Sequence, residues 1–264
     1  MLMVSKIKFF LNKIFCVIKR HSRITAVIVW LLIWQIVCEL TGLELVLASP
    51  VKVFLSLALH LAQREFYVSA AGSFLHITAG FALAFFAACI IGAAAGRYRL
   101  LKDFLAPAVI LMQSLPVASF IIILLIWFGS KNVAAYISFI VVFPMIYNGV
   151  IAGIANIDAK LVQMAQVFCI SPLRRIRCIY IAQVAPYVEG NLKSALGMCW
   201  KAGVSAEVIG LVSNSVGEQL YYSKLYLLTA DLFAWSLAVV VMSFAFEKVF
   251  IILAASAVRW LRRL

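Results

Sequence analysis

Apolar residues in this chain gather into six blocks, at about 24–42, 72–96, 104–128, 133–154, 186–208 and 229–251, with polar and basic residues between them. Each block is close to the roughly 20 residues that a helix needs to cross the hydrocarbon core of a bilayer. Backbone groups in lipid must find partners within their own segment, so the blocks are expected to be helices. The dyad alternation of a membrane β-barrel is absent. Pro116 interrupts the third block. Residues 49–70 carry Lys52, His60, Arg64 and Glu65 and are too polar to cross. They open on Ser49-Pro50, an N-cap followed by a first-turn proline, and so predict one external surface helix. Residues 1–23 place Lys6, Lys8, Lys13, Lys19, Arg20 and Arg23 among Phe9, Phe10, Ile14, Phe15 and Ile18, the pattern of a basic helix lying on a membrane surface. No small-x-small cleavage site follows residues 24–37, so that stretch is expected to stay as the first span. Residues 156–185 are a long polar interval, and 210–227 are expected to be irregular.

Composition turns this pattern into a class. Of 264 residues, 66% are hydrophobic and 12% charged, against roughly a quarter charged in a soluble domain. The net charge of +13 would suggest nucleic acid in a soluble protein, but no basic stripe with interleaved aromatics is present, and nucleic acid is not expected as a partner. The bilayer is. Cytoplasmic loops concentrate Lys and Arg. With the N-terminus inside, the outer segments hold only Lys52, Arg64, Lys131 and Lys224, Lys201 lies within the fifth block, and the other 18 of the 23 basic residues fall inside. Both termini and residues 156–185 are thus expected on the cytoplasmic face. The six cysteines form no CxxC pair and have no histidine at ligand spacing. They read as small buried hydrophobes, with no metal site.

The polar interval carries the functional argument. Within 160–169, Leu161, Met164, Ala165 and Phe168 recur at helical spacing. A short amphipathic helix at the cytoplasmic face can dock a soluble partner. No G-x-x-x-x-G-K-[ST] sequence occurs, so ATP-driven transport would need an ATPase on another chain.

At this interval the chain resembles the permeases of ABC importers of the nitrate/sulfonate/taurine type, the binding-protein-dependent transport system inner-membrane components. Their loop pattern is E-A-A, three residues, G, nine residues, then I-x-L-P. Gln163-Met164-Ala165 stands at E-A-A, Cys169 at the glycine, Ile179 at the isoleucine and Ile181-Ala182 at L-P. The surrounding chain adds family-like features in order: Leu47-Ala48-Ser49-Pro50, Gly92, Gly96-Arg97, Pro107, Leu115-Pro116, Trp127-Phe128-Gly129, Phe143-Pro144 and Asn148. Gly153, Asp158, Gly190, Lys193, Ala195-Leu196-Gly197, Trp200, Ala206-Glu207 and Asp231-Leu232-Phe233-Ala234 continue the series, so the resemblance covers about 45–250.

The resemblance implies an all-α polytopic protein with six transmembrane helices in the MetI-like type I ABC importer permease fold, a single permease domain over 24–264 in a bacterial inner membrane. It implies ABC ATPase subunits that carry the ATP and magnesium, an extracytoplasmic substrate-binding protein, and a second permease copy as a homodimer. No cofactor and no catalytic residue belong to this chain. The ATPase-coupling residues it points to are Gln163, Met164, Ala165, Phe168, Cys169, Ile170 and Ile179. The substrate is a small solute of the nitrate, sulfonate, taurine or vitamin-precursor type. Losing the loop's acidic residue and glycine alters the surface offered to the ATPase.

Lys201, Glu207 and Pro116 are the candidate path residues. A charge in lipid costs at least about 2.5–3.5 kcal/mol, so Lys201 and Glu207 face a cavity or a partner. Lys201 either attracts an anion on the path, or pairs with a carboxylate of another span or snorkels to the interface. Gly92/Gly96 and Gly149/Gly153 read as close-packing pairs. His76 reads as a satisfied interior polar group, and Trp30, Trp34 and Trp127 as interfacial or packing residues. A self-sufficient secondary transporter is the alternative, disfavoured by scarce intramembrane carboxylates and the lack of an inverted repeat. A membrane enzyme is disfavoured because no catalytic cluster falls on one membrane face.

Overall fold

A computed structural model describes residues 22–42 and 46–263, so the basic segment expected over 1–23 lies outside the described residues as far as 21. Every regular element among the described residues is helical. In chain order they are α1 (Ser22–Thr41), α2 (Pro50–Leu61), α3 (Arg64–Arg97), α4 (Arg99–Ser114), α5 (Val117–Phe128) and α6 (Val133–Ala155). Then come α7 (Ala159–Val167), α8 (Pro172–Arg175), a π-helical turn (Ile176–Ile181), α9 (Ala182–Gly210), α10 (Val216–Leu225) and α11 (Thr229–Arg263).

Among the described residues, α3, α6 and Thr229–Ala254 of α11 are long and apolar enough to cross a membrane outright. The α4–α5 pair adds a fourth crossing if it is one broken span, bent by 106° at Leu115-Pro116. In the six-span reading, apolar α1 and the 29-residue α9 complete the set. At 1.5 Å per residue, α9 is about 44 Å long, and Lys201 and Glu207 lower its hydropathy, not its reach.

Four expected boundaries change. The surface helix expected over 49–70 is two elements: α2 closes at Leu61 and extended Gln63 starts α3, whose first turn holds Arg64 and Glu65. The third span is a sharp break in place of a kink, because Pro116 cannot donate to the α4 ladder and sits in extended backbone (φ −57°, ψ 133°). The cytoplasmic interval is shorter than 156–185, since helix resumes at Pro172 and runs through the π turn into α9. Pro186 lies inside α9 and does not start it. Residues 210–227 are only partly irregular: turns over 211–215 and 226–227 flank α10, which is capped by the Ser215 hydroxyl, accepting from the Glu218 N–H at 3.0 Å.

The core lies where α3, α6 and α9 meet. Ile77, Phe81, Val142, Ile146, Leu196, Cys199 and Trp200 are all essentially buried there. Lipid is as apolar as these side chains, so close packing and small residues hold the helices together instead of water exclusion. The glycine pairs act in this way. A Cβ on Gly92 would stand 3.1 Å from Val150 and one on Gly96 2.5 Å from Ile154, both on α6. On Gly153 it would stand 2.9 Å from the Val184 backbone of α9, and on Gly80 2.2 Å from the Ala135 carbonyl oxygen. α2 is fastened to α11 by Asp231, which accepts from the Ser56 hydroxyl at 2.5 Å and lies 3.4 Å from His60 Nε2.

Candidate functional site

Three places gather the sequence-derived candidates. The first is α7. Asp158 caps it, its carboxylate accepting the Lys160 N–H at 2.8 Å, while the Asp158 N–H donates to Gln183 Oε1 at 2.8 Å. That second bond ties the start of α7 to α9. At the other end the Cys169 N–H reaches the Gln166 carbonyl at 3.1 Å and the Ile170 N–H reaches the Ala165 carbonyl at 2.9 Å. This pair is a Schellman cap, whose C′ residue must adopt the left-handed region. Cys169 does so, with φ +50°. The loop glycine of the resembled pattern therefore has a conformational reason, and here a cysteine bears the strain.

The two faces of α7 differ. Ala165 is 1% exposed and turned into the protein, whereas Met164 (45%), Phe168 (72%) and Val167 (80%) stand out from it. Of the seven coupling candidates, Gln163, Met164, Phe168 and Cys169 are exposed, Ile170 is half-buried, and Ala165 and Ile179 are buried. Val167, not singled out from the sequence, is the most exposed apolar residue of α7. It falls off the 161-164-165-168 stripe, which is why the stripe alone missed it.

The second place is one face of α9. Lys201 is exposed and forms no ion pair among the described residues. Its face continues through Gly190, Ser194, Gly197 and Ser205, and a Cβ added to Gly190 or Gly197 would meet nothing within 4 Å. The opposite face buries Leu196, Cys199, Trp200 and Ala206. An ammonium group thus stands on an open strip of small residues, a pattern legible as small residues three and four apart. The break at Pro116 is also exposed.

The third place is Glu207, with no exposed surface. Its Oε2 accepts from the Ser73 hydroxyl at 2.6 Å and the Gly217 N–H at 3.2 Å, and Ser73 Oγ accepts the Val216 N–H at 2.8 Å. The carboxylate therefore joins α3, α9 and the start of α10. Gly217 fits because any Cβ would fall 2.2 Å from Glu207 Cβ. Lys201 and Glu207 do not meet, in keeping with the roughly 120° between positions six apart on a helix.

Residues 80–263, which hold α6 to α11 and most of the bundle, match the family model for the binding-protein-dependent transport system inner membrane component. The chain belongs to that family. It is 25% identical over 205 residues to SsuC of Bacillus subtilis (strain 168), described as an aliphatic sulfonates transport permease, covering 76% of this chain and 74% of that protein. It is 25% identical over 193 residues to the nitrate import permease protein NrtB of Synechococcus elongatus, covering 69% and 68%. It is 24% identical over 209 residues to the taurine transport system permease protein TauC of Escherichia coli (strain K12), covering 73% and 74%. The protein is an all-helical, multi-pass inner-membrane permease of an ABC importer, and a transport protein rather than an enzyme.

Proposed function

We propose that this permease subunit moves a small oxyanion inward, driven by a separate ATPase that docks on α7. The single observation that carries the coupling role is the face of α7. Met164, Val167 and Phe168 are exposed apolar side chains on a capped helix held by the Asp158–Gln183 bond. Such anchors belong in a partner's groove. The helix lies among loops rich in Lys and Arg, which supports a cytoplasmic position for it and for both termini. ATP and magnesium would then belong to the partner chain.

Lys201 supports the substrate class. Sulfonates, nitrate and taurine, the cargoes named for the three relatives, all carry an anionic oxygen group, and the ammonium of Lys201 lies on the open face of α9. A second permease copy facing that strip would close the path, an external binding protein would deliver the solute, and the break at Pro116 would border the path. Uptake by the complete importer in vesicles tests this reading, with nitrate, taurine and an alkanesulfonate as probes. Lys201→Met is expected to reduce uptake of the accepted anion at least tenfold while the complex still assembles. Unchanged uptake, or parallel loss of assembly and uptake, contradicts the path role.

A further inference from the structure

A cavity of about 840 Å³ opens between the ends of α3 and α6 and the first turns leading into α9. Arg97 and Arg175 line it, and so does Tyr180 of the π turn. The rest of the lining is mostly apolar, from Ile154 and Ala93 to Val184 and Val188. Neither arginine pairs with a carboxylate among the described residues, whereas nearby Arg99 has Asp103 at 3.7 Å and Lys193 has Glu247 at 3.9 Å. The cavity also has extent along α3: from Arg97 to Cys89, both of which line it, the helix rises about 12 Å.

We propose that this cavity binds one anionic phospholipid of the leaflet on the basic-loop side. Its phosphate lies between Arg97 and Arg175, and one acyl chain lies against the apolar lining. Charge and shape both point to this occupant. Two guanidiniums match a phosphodiester, for which the planar fork of arginine is suited. Basic pockets between transmembrane helices at that membrane face suit anionic headgroups. A free phosphate would use the two arginines alone and leave the apolar lining without a function. The small residues Ala93, Gly96 and Ala185 leave the room. The π turn belongs to the site because it brings Ile176, Tyr180 and Ile181 to one wall, and such turns recur at functional sites. It also begins five residues after Ser171, so the lipid would brace the segment that joins α7 to α9.

The test uses the full chain in nanodiscs of phosphatidylcholine containing phosphatidylglycerol with a diazirine-labelled acyl chain. Photolabelling is expected on the peptides that hold Ala93 and residues 184–188. Unlabelled phosphatidylglycerol should compete it away, and millimolar inorganic phosphate should not. The double variant Arg97→Gln/Arg175→Gln should reduce labelling at least fivefold, and so should Ala93→Phe, which crowds the apolar lining without touching charge. Equal labelling by a phosphatidylcholine probe, loss of label to inorganic phosphate, or labelling of the wild-type chain only elsewhere would overturn the proposal. The wild-type arms decide it even if a variant fails to fold.

Discussion

With no surface of its own exposed, Glu207 holds three segments through one carboxylate oxygen and the Ser73 hydroxyl. Glu207→Ala would leave the Gly217 N–H and the Ser73 hydroxyl without their acceptor, at about 1–3 kcal/mol. Glu207→Gln keeps one acceptor oxygen and should lose less. Thermal unfolding of the purified permease in detergent should rank wild type above Glu207→Gln, and that above Glu207→Ala. An alanine variant as stable as wild type would remove the clasp from the account. At Cys169 the direction reverses. Glycine accepts φ +50° without the Cβ clash, so Cys169→Gly should stabilise the α7 end by about 1 kcal/mol. Slower limited proteolysis of the loop, with transport retained, is the expected result, and faster cleavage would contradict it. The resemblance puts a glycine at position 169, but the reason for it needs the backbone. The partners of Glu207 lie far away in the chain, at Ser73 and Gly217, and no local pattern announces them.

Among elements, the helix-to-helix distances rest on glycine. Gly80→Ala would drive a methyl group against the Ala135 backbone, and α3 must then leave α6. Gly190→Ala meets open space, and there alanine's helix propensity adds about 1 kcal/mol in its favour. Folded yield after extraction should therefore fall sharply for Gly80→Ala and hold for Gly190→Ala; equal yields would show that close approach is not what the glycines provide. The apolar blocks made most of these helices legible, because lipid leaves the backbone no alternative to the helix. Their ends were less legible. Helix can continue past the hydrocarbon core into polar sequence, as α9 does back to Ala182 and α3 back to Arg64. Proline at 116 broke a helix, while Pro107, Pro144 and Pro186 are carried inside one. At 116 the preceding Leu115 is extended (φ −77°, ψ 139°), the conformation that a following proline favours, and the helix ends there.

For the whole molecule, the uneven sharing of Lys and Arg is the basis of the proposed orientation, and the coupling of the basic-loop face to ATP hydrolysis is the central claim. Ser130, exposed between α5 and α6, tests the orientation. A cysteine there should react with an impermeant thiol reagent from outside, whereas native Cys169 and Cys178 should react only once the membrane is breached. Ser215, in the segment expected on the same side, is the fully buried N-cap of α10 and is unsuitable for labelling. Phe168→Asp should insert and fold normally yet release the ATPase or uncouple its hydrolysis from uptake, because the charge replaces an exposed apolar anchor. The most direct measurement places a cross-linking cysteine at Gln166, exposed on α7, in the assembled importer. A cross-link from residue 166 to the ATPase subunit, weakened by Phe168→Asp, is the expected result. A complex that transports its solute without any cross-link from residue 166 to the ATPase would contradict it.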